Sequence, residues 1–282
     1  MVPARIDNQS AAWSLKEAAA FTCQTFLGDL GGFARQRKEL LQRPYITEKE
    51  TAIAGRCSTW LTAQQADNLP PIFFVHGTPG NALEWAWYLE SAADKFAIHA
   101  VDRPGFGPSD RATPSLVGDM QVLQAILREI GRKVIIVGHS LGGGIAARLA
   151  LDCPELVRHV VFLGSSLDPS LERVLPIQRL FAQPFFSACL TPSVRNSNRE
   201  LIQYIPFLEE LAPRLHDLRC PVTIMHARDD ALVPFANVDY IRRQCVNAVS
   251  VNVIALESGG HFLHKTRRRE FMDVLGAIAT GF

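Results

Sequence analysis

The stretch that decides the fold is Lys133-Val134-Ile135-Ile136-Val137-Gly138-His139-Ser140-Leu141-Gly142-Gly143-Gly144. Its four consecutive β-branched residues, 134–137, are bounded by glycine and too few for a helix, so they predict a short buried strand. The Ala- and Leu-rich segment 145–151 predicts a helix. A strand, a sharp turn on Ser140 and a helix form the context in which the pattern G-x-S-x-G presents its serine as a nucleophile.

The glycines on either side of Ser140 have a steric reason. A turn this sharp holds the serine in a strained backbone conformation, and side chains two residues before or after it would collide. The alternative is a glycine-rich turn that carries an incidental serine. The strand and the helix around the motif favour the nucleophile.

Bulk composition limits the function classes. The chain has 282 residues, of which 48% are hydrophobic and 20% charged, as in a soluble globular protein with a sizeable core. The formal net charge of +1 gives no electrostatic case for nucleic acid. The 6 cysteines are scattered, which is typical of reduced thiols and predicts a cytoplasmic protein. No apolar run reaches the 18 or so residues of a membrane span.

The order of the predicted elements indicates an α/β fold. Strands are expected at 51–53, 57–63, 72–75, 96–101, 134–137, 160–163, 222–226 and 249–255, with helices between most of them from 83 onward. This alternation predicts a mostly parallel eight-stranded sheet with helices on both faces, spanning residues 44–282.

Two segments fall outside the alternation. Residues 1–43 predict a helical extension, with helices at 10–27 and 33–42. Packing on the domain is the simplest role for it, and contact of residues 10–42 with a membrane surface, or with a second copy, is the alternative. Residues 168–217 contain six prolines and many large apolar residues but no clear strand. We predict a short helical cap there, against an irregular connection, because a loop of this length is uncommon in a compact domain.

A nucleophilic serine needs a base, and the base needs a group to orient it. Among the histidines after Ser140, His261 follows Ser258-Gly259-Gly260 in a loop that can present an imidazole to the sheet edge, whereas His159 and His226 adjoin strands and favour structural roles. His216 and His264 are the remaining candidates. Asp230, which precedes Ala231-Leu232-Val233-Pro234, is the expected acid, with Asp229 and Asp168 as alternatives; a turn cap is the structural reading of Asp230.

An acyl-transfer site also needs N–H donors for the developing oxyanion. The amide of Leu141, directly after the nucleophile, is one expected donor. The amide of Thr78 in His76-Gly77-Thr78-Pro79-Gly80 is the other, since Pro79 has no N–H.

These motifs together resemble the α/β-hydrolase fold superfamily. The residues that carry the resemblance are His76-Gly77-Thr78-Pro79-Gly80, 102–109, Gly138-His139-Ser140-Leu141-Gly142, Asp230-x-x-Val233-Pro234 and Gly259-Gly260-His261. The resemblance implies a triad of Ser140, Asp230 and His261, with Thr78 and Leu141 forming the oxyanion hole. Epoxide hydrolases and haloalkane dehalogenases of this fold carry aspartate where Ser140 stands, so the resemblance favours the serine-nucleophile members.

The expected activity is a serine hydrolase without a cofactor, most simply a carboxylic ester hydrolase acting on small to medium apolar acyl esters. Trp85, His139, Phe181 and Phe185 are the candidate pocket residues for this small-molecule substrate. No metal is expected, because the histidines lack ligand spacing beside a carboxylate. A peptidase of the prolyl aminopeptidase type and a non-catalytic small-ligand binder are the alternatives. The oligomeric state has no signal in the sequence.

Overall fold

One mixed sheet organises the molecule. The structure is a computed structural model, and it describes residues 32–65, 69–109 and 113–281. Within them, eight strands lie in the order β1-β2-β4-β3-β5-β6-β7-β8. The strands are β1 (Ile46–Ile53), β2 (Arg56–Ala63), β3 (Ile72–Val75), β4 (Ile98–Asp102), β5 (Val134–His139), β6 (Val157–Leu163), β7 (Val222–Ala227) and β8 (Val251–Leu256).

The predicted eight-stranded, mostly parallel sheet is confirmed. Strands β3 to β8 pair in parallel, and only β2 runs antiparallel, between β1 and β4. The β1–β2 hairpin turns at Ala54 and Gly55, which both have positive φ, at 52° and 76°. Such a turn matches the twist of the paired strands. Both strands are longer than predicted, because the pairing from Ile46↔Ala63 to Ile53↔Arg56 stabilises polar residues that carry no strand pattern.

Ten helices are described in these residues. They are α1 (Gly32–Leu40), α2 (Ala86–Ser91), α3 (Met120–Ile130), α4 (Gly142–Asp152), α5 (Pro176–Phe181), α6 (Pro184–Ala188), α7 (Pro192–Leu211), α8 (Ala236–Gln244), α9 (Leu263–Thr266) and α10 (Arg268–Thr280). Helix α1 corresponds to the helix predicted at 33–42. The helix predicted at 10–27 lies outside the described residues. None of the described helices is both long enough and apolar enough to cross a membrane.

The sheet separates two hydrophobic clusters, because side chains alternate along each strand. Phe73, Val75 and Ile136 face the cluster that α3, α4, α7 and α8 cover. Ile72 and Phe74 face the other, which α1, α2 and α10 cover. Both faces of β3 to β7 are therefore buried, whereas the edge strand β8 is partly exposed. The carboxyl edge of the sheet is left as the place where loops meet.

The segment between β6 and β7 is helical. It contains a 3-10 turn at Pro169–Leu171, helices α5, α6 and α7, and a second 3-10 turn at Ala212–Asp217. Proline stands in the first turn of α5, α6 and α7, where its missing N–H costs no hydrogen bond. Tyr204, Phe207 and Leu208 of α7 are buried against the main domain, whereas Phe185 of α6 is 76% exposed.

Candidate active site

Ser140 lies at the sharp turn between β5 and α4. Its φ is +55°, a left-handed conformation that non-glycine residues rarely adopt. A Cβ at Gly138 would come within 2.4 Å of the Gly142 carbonyl oxygen, and one at Gly142 within 2.5 Å of the Val75 carbonyl oxygen. The turn therefore closes only with glycine at these two positions, and it leaves Ser140 partly exposed at the sheet edge.

His261 and Asp230 form a buried hydrogen-bonded pair. Nδ1 of His261 is 2.9 Å from Oδ2 of Asp230, and the two residues are 8% and 7% exposed. Because a carboxylate only accepts, Nδ1 carries the hydrogen and Nε2 of the neutral ring is left as a base. The other oxygen of Asp230 accepts from the amides of Leu232 and Val233 at 2.9 Å. Asp230 thus also shapes the turn before Pro234.

The surroundings of this pair adjust both pKa values. Burial alone raises the pKa of Asp230, but hydrogen bonds from His226, His261 and the Val233 amide outweigh it and hold that pKa well below its usual range. Burial lowers the pKa of His261, while the Asp230 carboxylate opposes the shift. An ionised acid and a neutral imidazole at neutral pH are the protonation states that general-base catalysis requires.

The sequence did not reveal the roles of two neighbours of the pair. Nε2 of His226 is 3.3 Å from Oδ2 of Asp230 and 3.0 Å from the Val233 carbonyl oxygen. Asp229 accepts hydrogen bonds from the amides of Gly259 and Gly260, at 3.2 and 2.8 Å. It therefore holds the loop that ends in His261. The only sequence signals were the position of His226 at the end of a strand and the doubled aspartate.

The turn of Ser140 and the His261–Asp230 pair both adjoin the end of β6. The Ser140 amide donates to the Leu163 carbonyl oxygen at 3.2 Å. A Cβ at the next residue, Gly164, would lie 3.5 Å from Oδ2 of Asp230 and 3.7 Å from Nδ1 of His261. The Ser140 hydroxyl has no hydrogen bond to a described residue. In ligand-free enzymes the bond between nucleophile and base is often long and shortens when substrate binds.

Two amides beside Ser140 are free to donate. Leu141 caps α4, which brings the positive end of the helix dipole to the serine. Thr78 lies in the loop after β3, and its neighbour Gly77 is packed so closely on the turn that a Cβ there would be 2.9 Å from Cβ of Ser140. Within the described parts of the chain, neither the Thr78 nor the Leu141 amide has a hydrogen-bond acceptor.

The other acids and histidines considered from the sequence lie in structural positions. Asp168 caps the 3-10 turn after β6 by accepting from the amide and hydroxyl of Ser170, at 2.9 and 2.7 Å. Nε2 of His159 is 2.9 Å from the Thr223 hydroxyl. His216 is exposed next to Asp217. His264 is buried, with its ring centroid 4.4 Å from that of His139.

The candidate pocket residues are more scattered than expected. Trp85 is fully buried and stacks on Phe74 with ring centroids 4.3 Å apart, so it packs in the core instead of facing an open pocket. His139 is also buried, with its ring 4.8 Å from that of His261. Phe185 projects to solvent, and Phe181 is only partly buried. Position along the sequence did not reveal these orientations, because they depend on how β3, β5 and the helices of 168–217 pack.

Comparison with known proteins is consistent with this geometry. A model of the alpha/beta hydrolase family matches residues 72–274. Pimeloyl-(acyl-carrier protein) methyl ester esterase of Nitrosomonas europaea is 25% identical over 252 residues, which cover 75% of this chain and 96% of that protein. The dihydrolipoyllysine-residue acetyltransferase component of the acetoin cleaving system of Cupriavidus necator is 34% identical over 108 residues. That match covers 36% of this chain and 28% of the Cupriavidus protein.

A solved structure shows the same fold over nearly the whole chain. A membrane phospholipase A, described as a bacterial virulence factor, superposes with a TM-score of 0.64 and 18% identity. The match covers 95% of this chain and 96% of that one. At this identity the likeness concerns the fold alone.

Proposed function

Because this chain belongs to the alpha/beta hydrolase family, we propose that it is a serine hydrolase whose triad is Ser140, His261 and Asp230. The observation that carries the proposal is the pairing of the strained Ser140 with a buried His261–Asp230 hydrogen bond of 2.9 Å at the same sheet edge. We further propose that its substrates are carboxylic esters with small to medium apolar acyl groups.

Each residue has a defined step in the reaction. Nε2 of His261 takes the proton of the Ser140 hydroxyl as its oxygen attacks the ester carbonyl carbon. Asp230 keeps the imidazole in the required tautomer and stabilises the imidazolium. The amides of Thr78 and Leu141 hold the oxyanion. His261 then returns the proton to the leaving alcohol, and a water molecule, deprotonated in the same way, releases the acid and restores Ser140.

Three of the four glutamates of the segment 168–217, which we propose acts as a cap, already have partners, and the fourth, Glu209, is exposed; this favours an esterase over an aminopeptidase. A peptidase of the latter kind needs a free carboxylate for the substrate ammonium group. Glu200 forms an ion pair with Arg103, and Glu172 accepts a hydrogen bond from the Ser166 hydroxyl. Burial raises the pKa of Glu172, which disfavours its charged form. Glu210 pairs with Arg148. The esterase named among the sequence relatives supports the ester class.

Active-site labelling and turnover test the proposal together. A fluorophosphonate probe should label the wild-type chain and Ser170→Ala, but not Ser140→Ala. Hydrolysis of a p-nitrophenyl acyl ester should fall by several orders of magnitude in Ser140→Ala, since serine triads lose about 10⁶-fold in kcat without the nucleophile. Retention of more than about a tenth of the activity would exclude Ser140 as the nucleophile.

Parallel substrates distinguish the remaining functions. Wild-type protein should hydrolyse acyl esters with a higher kcat/KM than proline amides. Preference for the amides would replace the esterase with the peptidase. No labelling and no turnover of either class would indicate a ligand-binding protein.

A further inference from the structure

Three side chains that the proposed reaction does not use meet beneath the nucleophile turn. Glu84 comes from the 3-10 turn Ala82–Trp85 after β3, His139 ends β5, and His264 belongs to α9. Oε2 of Glu84 is 3.7 Å from Nδ1 of His139 and 3.9 Å from Nε2 of His264. One potential ligand atom from each residue lies within 4.8 Å of the other two.

The atoms that face one another there have no hydrogen-bond partners. Within the described residues, Oε2 of Glu84, Nδ1 of His139 and Nε2 of His264 are buried and unpaired. Nδ1 of His264, on the other side of its ring, is also unpaired and does not belong to this set. The two histidine side chains are 3% and 0% exposed, and that of Glu84 is 14% exposed. Buried polar atoms normally have partners, because an unpaired one has lost its hydrogen bonds to water without a replacement. We therefore expect an ion or a small molecule to be bound between the three side chains.

The tautomer of His139 indicates what kind of occupant fits. Nε2 of His139 is 3.1 Å from the carbonyl oxygen of His261, so it carries the ring hydrogen and donates it. Nδ1 of the neutral ring then carries no hydrogen, and its lone pair is directed at Oε2 of Glu84. Both atoms are acceptors, so they cannot form a hydrogen bond with each other. Histidines that bind metals typically donate their second nitrogen to a backbone carbonyl in this way.

We propose that Glu84, His139 and His264 bind a divalent cation of the zinc class. Two imidazoles and one carboxylate form a donor set that suits Zn²⁺ and leaves one position of a tetrahedral ion for water. Bonds of about 2.0–2.1 Å would place neighbouring ligand atoms roughly 3.4 Å apart. The two separations from Glu84, 3.7 and 3.9 Å, are within half an ångström of that value. The ligand atoms of His139 and His264 lie within 4.8 Å of each other, so ion binding would draw the two rings together.

The ion would join three segments that carry the proposed reaction. Glu84 follows the loop of Thr78, His139 directly precedes Ser140, and His264 is three residues beyond His261. The Tyr88 hydroxyl donates to the His264 carbonyl oxygen at 2.9 Å and holds that residue from the other side. Trp85 packs on the His264 ring, with centroids 5.0 Å apart. The role is structural, since the ion would hold the loop of His261 against the nucleophile turn.

Metal binding is measured without reference to turnover, so its result is independent of the proposed esterase activity. The full chain is purified without a histidine tag, treated with a chelator and titrated with Zn²⁺ by calorimetry, with bound zinc measured after gel filtration. We expect one equivalent of zinc. Glu84→Gln and His264→Gln should each lower the affinity by at least about tenfold. His216→Gln and Glu90→Gln, at exposed positions away from the cluster, should bind as the wild type does.

Two results of the zinc titration would contradict the proposed site. Less than half an equivalent of zinc, or unchanged affinity in both ligand variants, would overturn the proposal and leave a buried water as the occupant. If circular dichroism shows that the variants fail to fold, the site is tested instead by titrating the wild-type chain with Co²⁺. Stoichiometric Co²⁺ with the intense visible absorption of a four-coordinate ion supports the site. Absence of that band overturns it.

Discussion

Arg103 and Glu200 form a fully buried ion pair that joins the loop after β4 to helix α7, and the two side chains are 1% and 0% exposed. A second nitrogen of the same guanidinium donates to Oε2 of Glu200 at 3.1 Å and to the Gly77 carbonyl oxygen at 2.7 Å. Gly77 precedes Thr78, whose amide is the proposed oxyanion donor. The ion pair therefore connects the packing of α7 to the loop that holds the oxyanion.

Substitution of one member of this pair should strongly destabilise the protein. Glu200→Gln leaves the Arg103 guanidinium buried without a counter-charge, so the free energy of unfolding should fall by about 3–5 kcal/mol. Urea denaturation measures the change. Glu209→Gln, at an exposed position on the same helix, is the matched control and should change it by less than about 0.5 kcal/mol. Equal effects of the two substitutions would show that the pair contributes little.

The adjacent aspartates should differ sharply in their effect on catalysis. Asp230→Asn should lower kcat by about 10⁴, because the amide no longer holds His261 in the required tautomer. Asp229→Asn keeps the side-chain size and one acceptor oxygen toward Gly259 and Gly260, so its loss should be far smaller. Asp168→Asn, which affects only a turn cap, should be close to wild type. A larger loss from Asp168→Asn would place the acid after β6.

Stability should decline in mild acid, partly through His99. Burial, with the Lys49 charge as a smaller cause, lowers the pKa of His99 to about 3. The unfolded chain takes up this proton near pH 6.5, whereas the folded chain does not. Stability present above pH 6.5 is therefore lost as the pH falls toward 3, by about 1.4 kcal/mol per pH unit. His99→Phe should remove that share of the slope in urea unfolding between pH 7 and 5, and His216→Gln should leave it unchanged. A wild-type slope in His99→Phe would contradict the assignment.

The proposed cap should set the preference for acyl length. Each methylene that an acyl chain buries contributes about 0.8 kcal/mol, nearly fourfold in affinity. We expect kcat/KM for p-nitrophenyl esters to rise from acetyl to roughly hexanoyl and to fall for longer chains, where a short cap runs out of room. A series of esters of increasing length measures this profile. A flat profile would remove the apolar acyl pocket from the proposal.

Local chemistry explains what the sequence by itself determined. The β-branched run 134–137, the glycines around Ser140 and the Ala-rich segment after them specify strand, turn and helix through short-range sterics. The same reasoning located β3, β6 and β7 along the chain, since buried parallel strands are nearly continuous apolar runs. Element ends were less accurate, as in β1, where cross-strand pairing and not composition sets the length.

Only the tertiary structure decided which polar groups meet. The sequence favoured Asp230 over its neighbour Asp229 as the acid by spacing alone. Only the fold shows that Asp229 holds the loop of Gly260 while Asp230 bonds to His261. Arg103 and Glu200 are 97 residues apart, and the ligands of the proposed cation site come from three separate segments. No local periodicity encodes such contacts, because they arise when parallel strands bring their carboxyl ends to one edge and the chain folds its loops over it.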